Sequence, residues 1–227
     1  SDIAGTTRDV VEGDFEYRGH TFTVLDTAGI RRKSRVHEDI EYYSVNRAIK
    51  TLNDADVVFH MIDAREGLAE QDKKIIAHAS SRGLGVVFVL NKWDLMDQDK
   101  KTFKEAVRNI KVMFAQMEYA PVLSLSALEG DGIKELLNTA VMLYNELSRK
   151  IDTSAVNLAL TDWVAASPPP QGRTNKFKIR YMIQTQANPV KFLLFATRPE
   201  AVTDSYLAYI RNRIRRDLGF DHIPVVL

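Results

Sequence analysis

Residues Leu84–Asp94 read LGVVFVLNKWD, an unbroken apolar run that stops at Asn91, Lys92 and Asp94. A run of this length, rich in Val and closed by polar residues, is the pattern of a strand buried on both faces, the kind that parallel sheets contain. The same pattern occurs before it in DVVFHMID (56–63) and after it in APVLSLS (120–126). Between and beyond these runs lie segments with helical spacing: YYSVNRAIKTLNDA (42–55), EQDKKIIAHASSRG (70–83) closed by Gly83, KTFKEAVRNIKVMFAQM (101–117) and GIKELLNTAVMLYNELSRK (132–150). Strands and helices taken in turn predict an α/β, doubly wound sheet. Upstream, Val10–Tyr17 and His20–Asp26 alternate apolar and polar residues around Arg18-Gly19, which predicts a hairpin with a two-residue turn.

Past Lys150 the rhythm changes. SAVNLALTDWVAASPPPQGR (154–173) predicts a helix ended by prolines, KFKIRYMIQT (176–185) and VKFLLFAT (190–197) predict strands, and DSYLAYIRNRIRRDLG (204–219) a helix before HIPVVL (222–227). The division expected is therefore 1–150 and a small α+β unit over 151–227. The chain of 227 residues has no cysteine, which excludes disulfides and thiolate metal sites, and no apolar run long enough to span a membrane. Cytoplasm is the expected compartment. Net charge is +1, but residues 151–227 hold 10 Lys/Arg against 6 Asp/Glu, so the small unit is the basic one.

Three signals fall where strands end, the place at which open α/β sheets bind ligands. Asp26-Thr27-Ala28-Gly29 offers a carboxylate and a glycine whose backbone N–H can approach a phosphate oxygen. Asn91-Lys92-Trp93-Asp94 offers a carboxylate that can accept both donors of guanine's N1 and N2 edge. Adenine lacks that pair and would leave Asp94 desolvated and unpaired. Asn91 would tie the loop or touch the base, and the Lys92 stem can cover a base face. Ser126-Ala127 supplies small residues beside which a backbone N–H can reach the guanine O6.

Taken in this order, D-x-x-G, N-K-x-D and S-A resemble the later part of the GTPase signature within the P-loop family. That resemblance implies that Asp26 holds Mg2+ through water, that the Gly29 N–H meets the γ-phosphate, and that Thr7 of GTTRD ligates Mg2+, with Thr6 as the alternative. The pattern G-x-x-x-x-G-K-[ST] does not occur in the 227 residues. Ile30 stands where Ras-like enzymes place a water-orienting glutamine; members with GTTRD and a hydrophobic residue there commonly use a monovalent cation, usually K+.

SDIAGTTRDVVEGDF, LDTAGIRRKSRV, EQDKKI, NKWDL, SAL and, further on, PPPQGRTNKFKIRY together resemble the second GTPase domain and KH-like domain of the Der (EngA) family. Era and MnmE proteins are the nearest alternatives. The Der resemblance implies GTP and GDP as ligands, a first GTPase domain in the same bacterial protein, and a role in assembling the large (50S) ribosomal subunit, with its rRNA and proteins as partners. It also implies that a central strand and P-loop precede Ser1, so that the sheet formed by these residues alone has a gap. The rival is an RNA- or protein-binding module without GTPase activity.

The loop GIRRKSRVHED (29–39) and the basic residues Arg173, Lys176, Lys178, Arg180, Arg211, Arg213, Arg215 and Arg216 have two readings, RNA contact or packing and solvation. No G-x-x-G clamp occurs between the elements of the small unit. The five histidines have no ligand spacing. Phe177, Tyr181, Phe192, Phe195, Tyr206 and Tyr209 are expected in the small unit's core.

Overall fold

The structure, a computed structural model, describes residues 11–26, 49, 51–97, 99–170 and 176–227. The predicted hairpin forms from β1 (Val11–Tyr17) and β2 (His20–Asp26), antiparallel with Tyr17 opposite His20. Arg18 and Gly19 have φ of 50° and 77°, the paired left-handed residues of a type I′ turn, whose twist suits a two-residue hairpin. Its turn end rests on a later helix through Tyr17 Oη, which donates to Asn138 Oδ1 at 2.8 Å, and through His20, edge-on to Tyr144.

The three apolar runs become β3 (Val57–Asp63), β4 (Gly85–Asn91) and β5 (Val122–Ser124), parallel and in the order β3-β4-β5. Successive side chains of a strand point to opposite faces, and both faces of β4 are covered. Val86, Phe88 and Leu90 join one cluster with α1 (Glu70–Ser81) and α2 (Lys100–Met113) through Ile75, Ile76 and Ile110, and with Phe114 just past α2. Val87 and Val89 join the other with Leu136, Leu143 and Leu147 of α3 (Ile133–Leu147). Burial on both sides is why the run carries no polar alternation. Among the described residues β3 pairs only with β4 and β2 only with β1, and Met61 on β3 is 43% exposed.

In the small unit, α4 (Thr153–Ala166) and α5 (Asp204–Leu218) cover the antiparallel pair β6 (Ile179–Gln186) and β7 (Lys191–Ala196). Asn157 of α4 binds the β6 backbone twice: its Nδ2 donates to Met182 O at 2.9 Å and its Oδ1 accepts from the Met182 N–H at 2.9 Å. At the end of α4, Trp163 O accepts the Ser167 N–H and also the Tyr209 hydroxyl, and Ser167 O receives the Tyr206 hydroxyl. The last residues contribute a single parallel bridge, Lys191 to Val226.

The aromatic core expectation needs correcting. Phe177, Phe192 and Tyr206 are buried, whereas Tyr181 is 44% exposed and stacks on Phe195 at 4.1 Å between ring centroids, on the outer face. The register slips between Ile179 and Tyr181, so an extra residue, Arg180, lies in the strand. One extra residue reverses which side chains face inward: Phe177 and Ile179 point to the core before it, Met182 after it.

The small unit and the sheet share a core. Val190, Phe220 and Ile223 belong to the same cluster as Val87, Val89, Leu143 and Leu147. Polar contacts pin the seam. The buried Glu146 accepts the His222 N–H at 2.9 Å and meets its ring Nδ1 at 2.7 Å. Arg149 donates to Leu218 O and Gly219 O, capping the end of α5 where helix carbonyls are unpaired. Arg215 lies over the Tyr119 ring at 4.3 Å, so this arginine packs on the larger unit. Burial there lowers the Arg215 pKa and raises that of the Tyr119 hydroxyl, the latter against a Ser80 hydrogen bond and the arginine's charge. Arg213 and Arg216 instead pair with Asp217. Lys176, Lys178 and Arg180 are exposed, and Arg173 lies outside the described residues.

Candidate functional site

Parallel strands end on one edge, and the register puts Asp63 of β3 beside Asn91 of β4, with Leu90 beside Ser124 of β5. Three loops leave this edge, and short hydrogen bonds tie them. The Ala64 N–H donates to Asn91 O at 2.9 Å, the Trp93 N–H to Leu125 O at 3.1 Å, and the Ala127 N–H to Asn91 Oδ1 at 3.1 Å. Asn91 is therefore the knot between the N-K-x-D and S-A loops. The S-A loop closes on itself: the Ser126 N–H donates to Asp131 O, and Ser126 Oγ accepts from the Glu129 N–H. It then turns into α3 at Gly132, whose φ is 82° and where a Cβ would stand 2.5 Å from the Ser124 carbonyl oxygen, a spacing only glycine tolerates.

Trp93 anchors the next turn. Its ring is buried edge-on against Phe103, 5.7 Å between centroids, and the chain makes a single 3-10 turn over Trp93–Leu95. With the tryptophan turned inward, Asp94 is left exposed at the edge, and among the described residues nothing pairs with its carboxylate. Lys92 is one of only two non-glycine residues with positive φ among the described residues; the other is Arg18 of the hairpin turn. Its ammonium lies 2.9 Å from Asp63 Oδ2, while Asp63 Oδ1 accepts the Arg65 N–H at 3.0 Å. Burial alone would push the Asp63 carboxyl up; the Lys92 hydrogen bond, the Arg65 N–H and the lysine's charge outweigh it and hold the pKa at about 2.

The structure thus brings together Asn91, Lys92, Asp94, Ser126 and Ala127. Asp26 ends β2, opposite Val11, in the separate two-stranded sheet. Thr6, Thr7 and Gly29 lie outside the described residues, as does the basic loop over 29–39. Ser126 and Ala127 are the small residues expected to let a backbone N–H reach a base oxygen; their own N–H groups both have acceptors within the protein. Asp63 is the residue that sequence reasoning passed over. Its signal was the one used for Asp26, an acidic residue closing an apolar strand.

A guanine edge fits this arrangement by its chemistry: an exposed carboxylate, unpaired among the described residues, to accept two donors, a side-chain amide beside it, and a lysine stem held across the same edge. Comparison with known proteins points the same way. Residues 3–146 match the model of the elongation factor Tu GTP-binding domain, and residues 150–227 match that of the KH-domain-like C-terminal region of EngA bacterial GTPase enzymes. The chain belongs to the Der (EngA) family of GTPases. A Der relative from Treponema pallidum is 46% identical over 226 residues, and one from Caldanaerobacter subterraneus 39% identical over 227. Each alignment covers the whole of this chain but only 49% and 52% of the relative, so the chain spans about half the length of these Der proteins.

Among solved structures, Era from Aquifex aeolicus bound to GDP.AlF4- has a TM-score of 0.54 at 22% identity, covering all of this chain and 82% of that one. Era in complex with MgGDPNP and a 16S ribosomal RNA segment has a TM-score of 0.53 at 23% identity, with the same coverage. At such identity the likeness establishes the fold, a P-loop GTPase-type α/β sheet followed by a KH-like domain. Among the described residues no group of three or more His, Asp or Glu could hold a metal ion, and no helix is long and apolar enough to cross a membrane.

Proposed function

We propose that this chain is the guanine-recognising part of a GTP-binding, GTP-hydrolysing switch that assists assembly of the large ribosomal subunit in the bacterial cytoplasm. The observation that carries the reading is the exposed Asp94 carboxylate, without a partner among the described residues and set beside Asn91 and Lys92 by the buried Trp93 at the C-terminal edge of β3-β4-β5. Residues 1–150 would form the GTPase domain and 151–227 the KH-like domain. Asp26 with Thr7, or with Thr6 in its place, would hold Mg2+, which neutralises phosphate charge when bound. The Gly29 N–H would meet the γ-phosphate, and a K+ ion would take the place of an arginine finger.

The edges of β2 and β3, unpaired among the described residues, support a further part of the proposal, that a strand carrying the P-loop lies between them in the intact protein. The core shared by the sheet and the KH-like domain supports another. These two would move as one body relative to a first GTPase domain when nucleotide is hydrolysed. Ribosomal RNA and proteins of the 50S precursor would be the partners.

The test is GDP affinity and K+-dependent GTPase activity, measured on these 227 residues and on a chain extended at the N-terminus to include the P-loop. Activity confined to the longer chain is expected; equal activity in both contradicts the account. A second reading, an RNA-binding module without hydrolysis, is favoured by the exposed Tyr181, stacked on the half-buried Phe195 near Lys178 and Arg180. RNA binding by the extended chain, without GDP binding, would select it.

A further inference from the structure

Lys92 is held in an unusual way. A non-glycine residue with φ 60° and ψ 36° is in the left-handed region, which costs about 1–2 kcal/mol unless its surroundings enforce it. Residues held like this cluster at functional sites. Here the enforcement is visible on both sides of the residue. The Asn91 carbonyl before it accepts from Ala64, and the Trp93 N–H after it donates to Leu125. From that backbone the side chain runs back from the end of β4 to the end of β3, where its ammonium is 2.9 Å from Asp63 Oδ2. Asp63 is itself fixed: its side chain is 11% exposed, and its second oxygen takes the Arg65 N–H at 3.0 Å and faces Arg65 Nε at 3.6 Å.

A free lysine on a surface loop samples many rotamers, and ordering such a side chain on binding costs roughly 0.5–1.5 kcal/mol. Pinning its far end beforehand removes that cost from the binding step. The lysine stem lies on the same edge as Asp94, the residue read as the guanine acceptor, so a stem already stretched there presents its methylene face to the base. The carboxylate stays ionised at neutral pH, since its pKa is about 2.

We propose that Asp63 is a positioning residue for nucleotide binding: by holding the Lys92 ammonium it lays the lysine stem across the base site in advance, a role that rests on the guanine reading given above. Asp63 need touch no part of the nucleotide. Its effect passes through Lys92, and this sets it apart from a residue that only stabilises the loop.

The experiment uses the full-length protein and fluorescent GDP. The binding component that disappears in Asp94→Asn is assigned to this site, and a flat response to Asp94→Asn refutes the guanine reading and this proposal with it. Given that component, Asp63→Asn, which keeps the side chain's size, is expected to weaken it about three- to tenfold. Lys92→Ala should weaken it as well, and Asp63→Asn added to Lys92→Ala should do no further harm. Arg65→Ala, which removes only the 3.6 Å side-chain contact to Asp63 and leaves the backbone N–H in place, should weaken GDP binding by less than Asp63→Asn does. Unchanged or tighter GDP binding in Asp63→Asn overturns the proposal. So do independent, multiplying effects of the Asp63 and Lys92 changes, or an Arg65→Ala loss equal to that of Asp63→Asn, since loop order would then be the cause.

Discussion

Gly83→Ala tests the seam between the sheet and the small unit. Gly83 follows α1 with φ of 78°, and a Cβ built there would run into the ring of Pro189, in the turn between β6 and β7, 106 positions along the chain. The same turn is tied down by Asn188 Nδ2, which donates to Asp56 Oδ1 at 2.5 Å beside the start of β3. Two costs add for alanine. The left-handed backbone costs a non-glycine residue about 1–2 kcal/mol, and forcing an extra carbon against a rigid ring in a packed seam costs about 1–3 kcal/mol. The sum, about 2–5 kcal/mol, is a large part of a domain's stability of about 5–15 kcal/mol. Hydrogen exchange on the full-length protein reads it locally. Peptides covering residues 82–90 and 186–192 should lose protection together, by about thirtyfold or more, at about 1.4 kcal/mol per tenfold. Adding Pro189→Gly should return the packing share and leave the backbone share. Loss of protection near Gly83 alone, with the Pro189 turn unaffected, would refute the contact.

Glu146→Ala leaves the His222 N–H and ring without their acceptor and should destabilise the seam by about 1–3 kcal/mol, while Glu146→Gln should cost less; thermal unfolding and exchange over residues 219–227 measure both. The Asp63 carboxyl should titrate near pH 2, below its ordinary 3.8. Because the folded-state pKa is depressed, the stability it contributes is whole above about pH 4 and is lost as pH falls through about 2. Carboxyl NMR checks this: Lys92→Met should move the titration up toward the ordinary value, and a titration that stays near 2 would contradict the pairing.

The sheet was legible because β4 has both faces covered, so its sequence could not alternate, and because Arg18-Gly19 can form few turns other than the one observed. N-K-x-D was legible for a chemical reason: a polar cluster directly after a buried strand has to lie at the sheet's edge. What escaped was long-range. The bulge at Arg180 inverted the inward face of β6 and put Tyr181 outside, although alternation through Phe177, Ile179 and Tyr181 reads as unbroken. Asp63 was hidden because its partner Lys92 lies 29 positions away, and only the parallel register brings the two strand ends together. Arg215 looked like any other arginine on a basic helix until Tyr119 was seen beneath it. Pairings of this kind depend on how β5, α3 and α5 assemble, which no local pattern encodes.

The central claim is that Asp94 selects guanine. Calorimetric titration of GDP and xanthosine diphosphate into the full-length protein and its Asp94→Asn variant tests it most directly, because an amide in place of the carboxylate loses the acceptor for guanine's N1 and N2 donors and gains a donor for the xanthine oxygen. The expected result is loss of the GDP-binding component at this site with a gain of xanthosine diphosphate binding. GDP binding unchanged in Asp94→Asn would contradict the account.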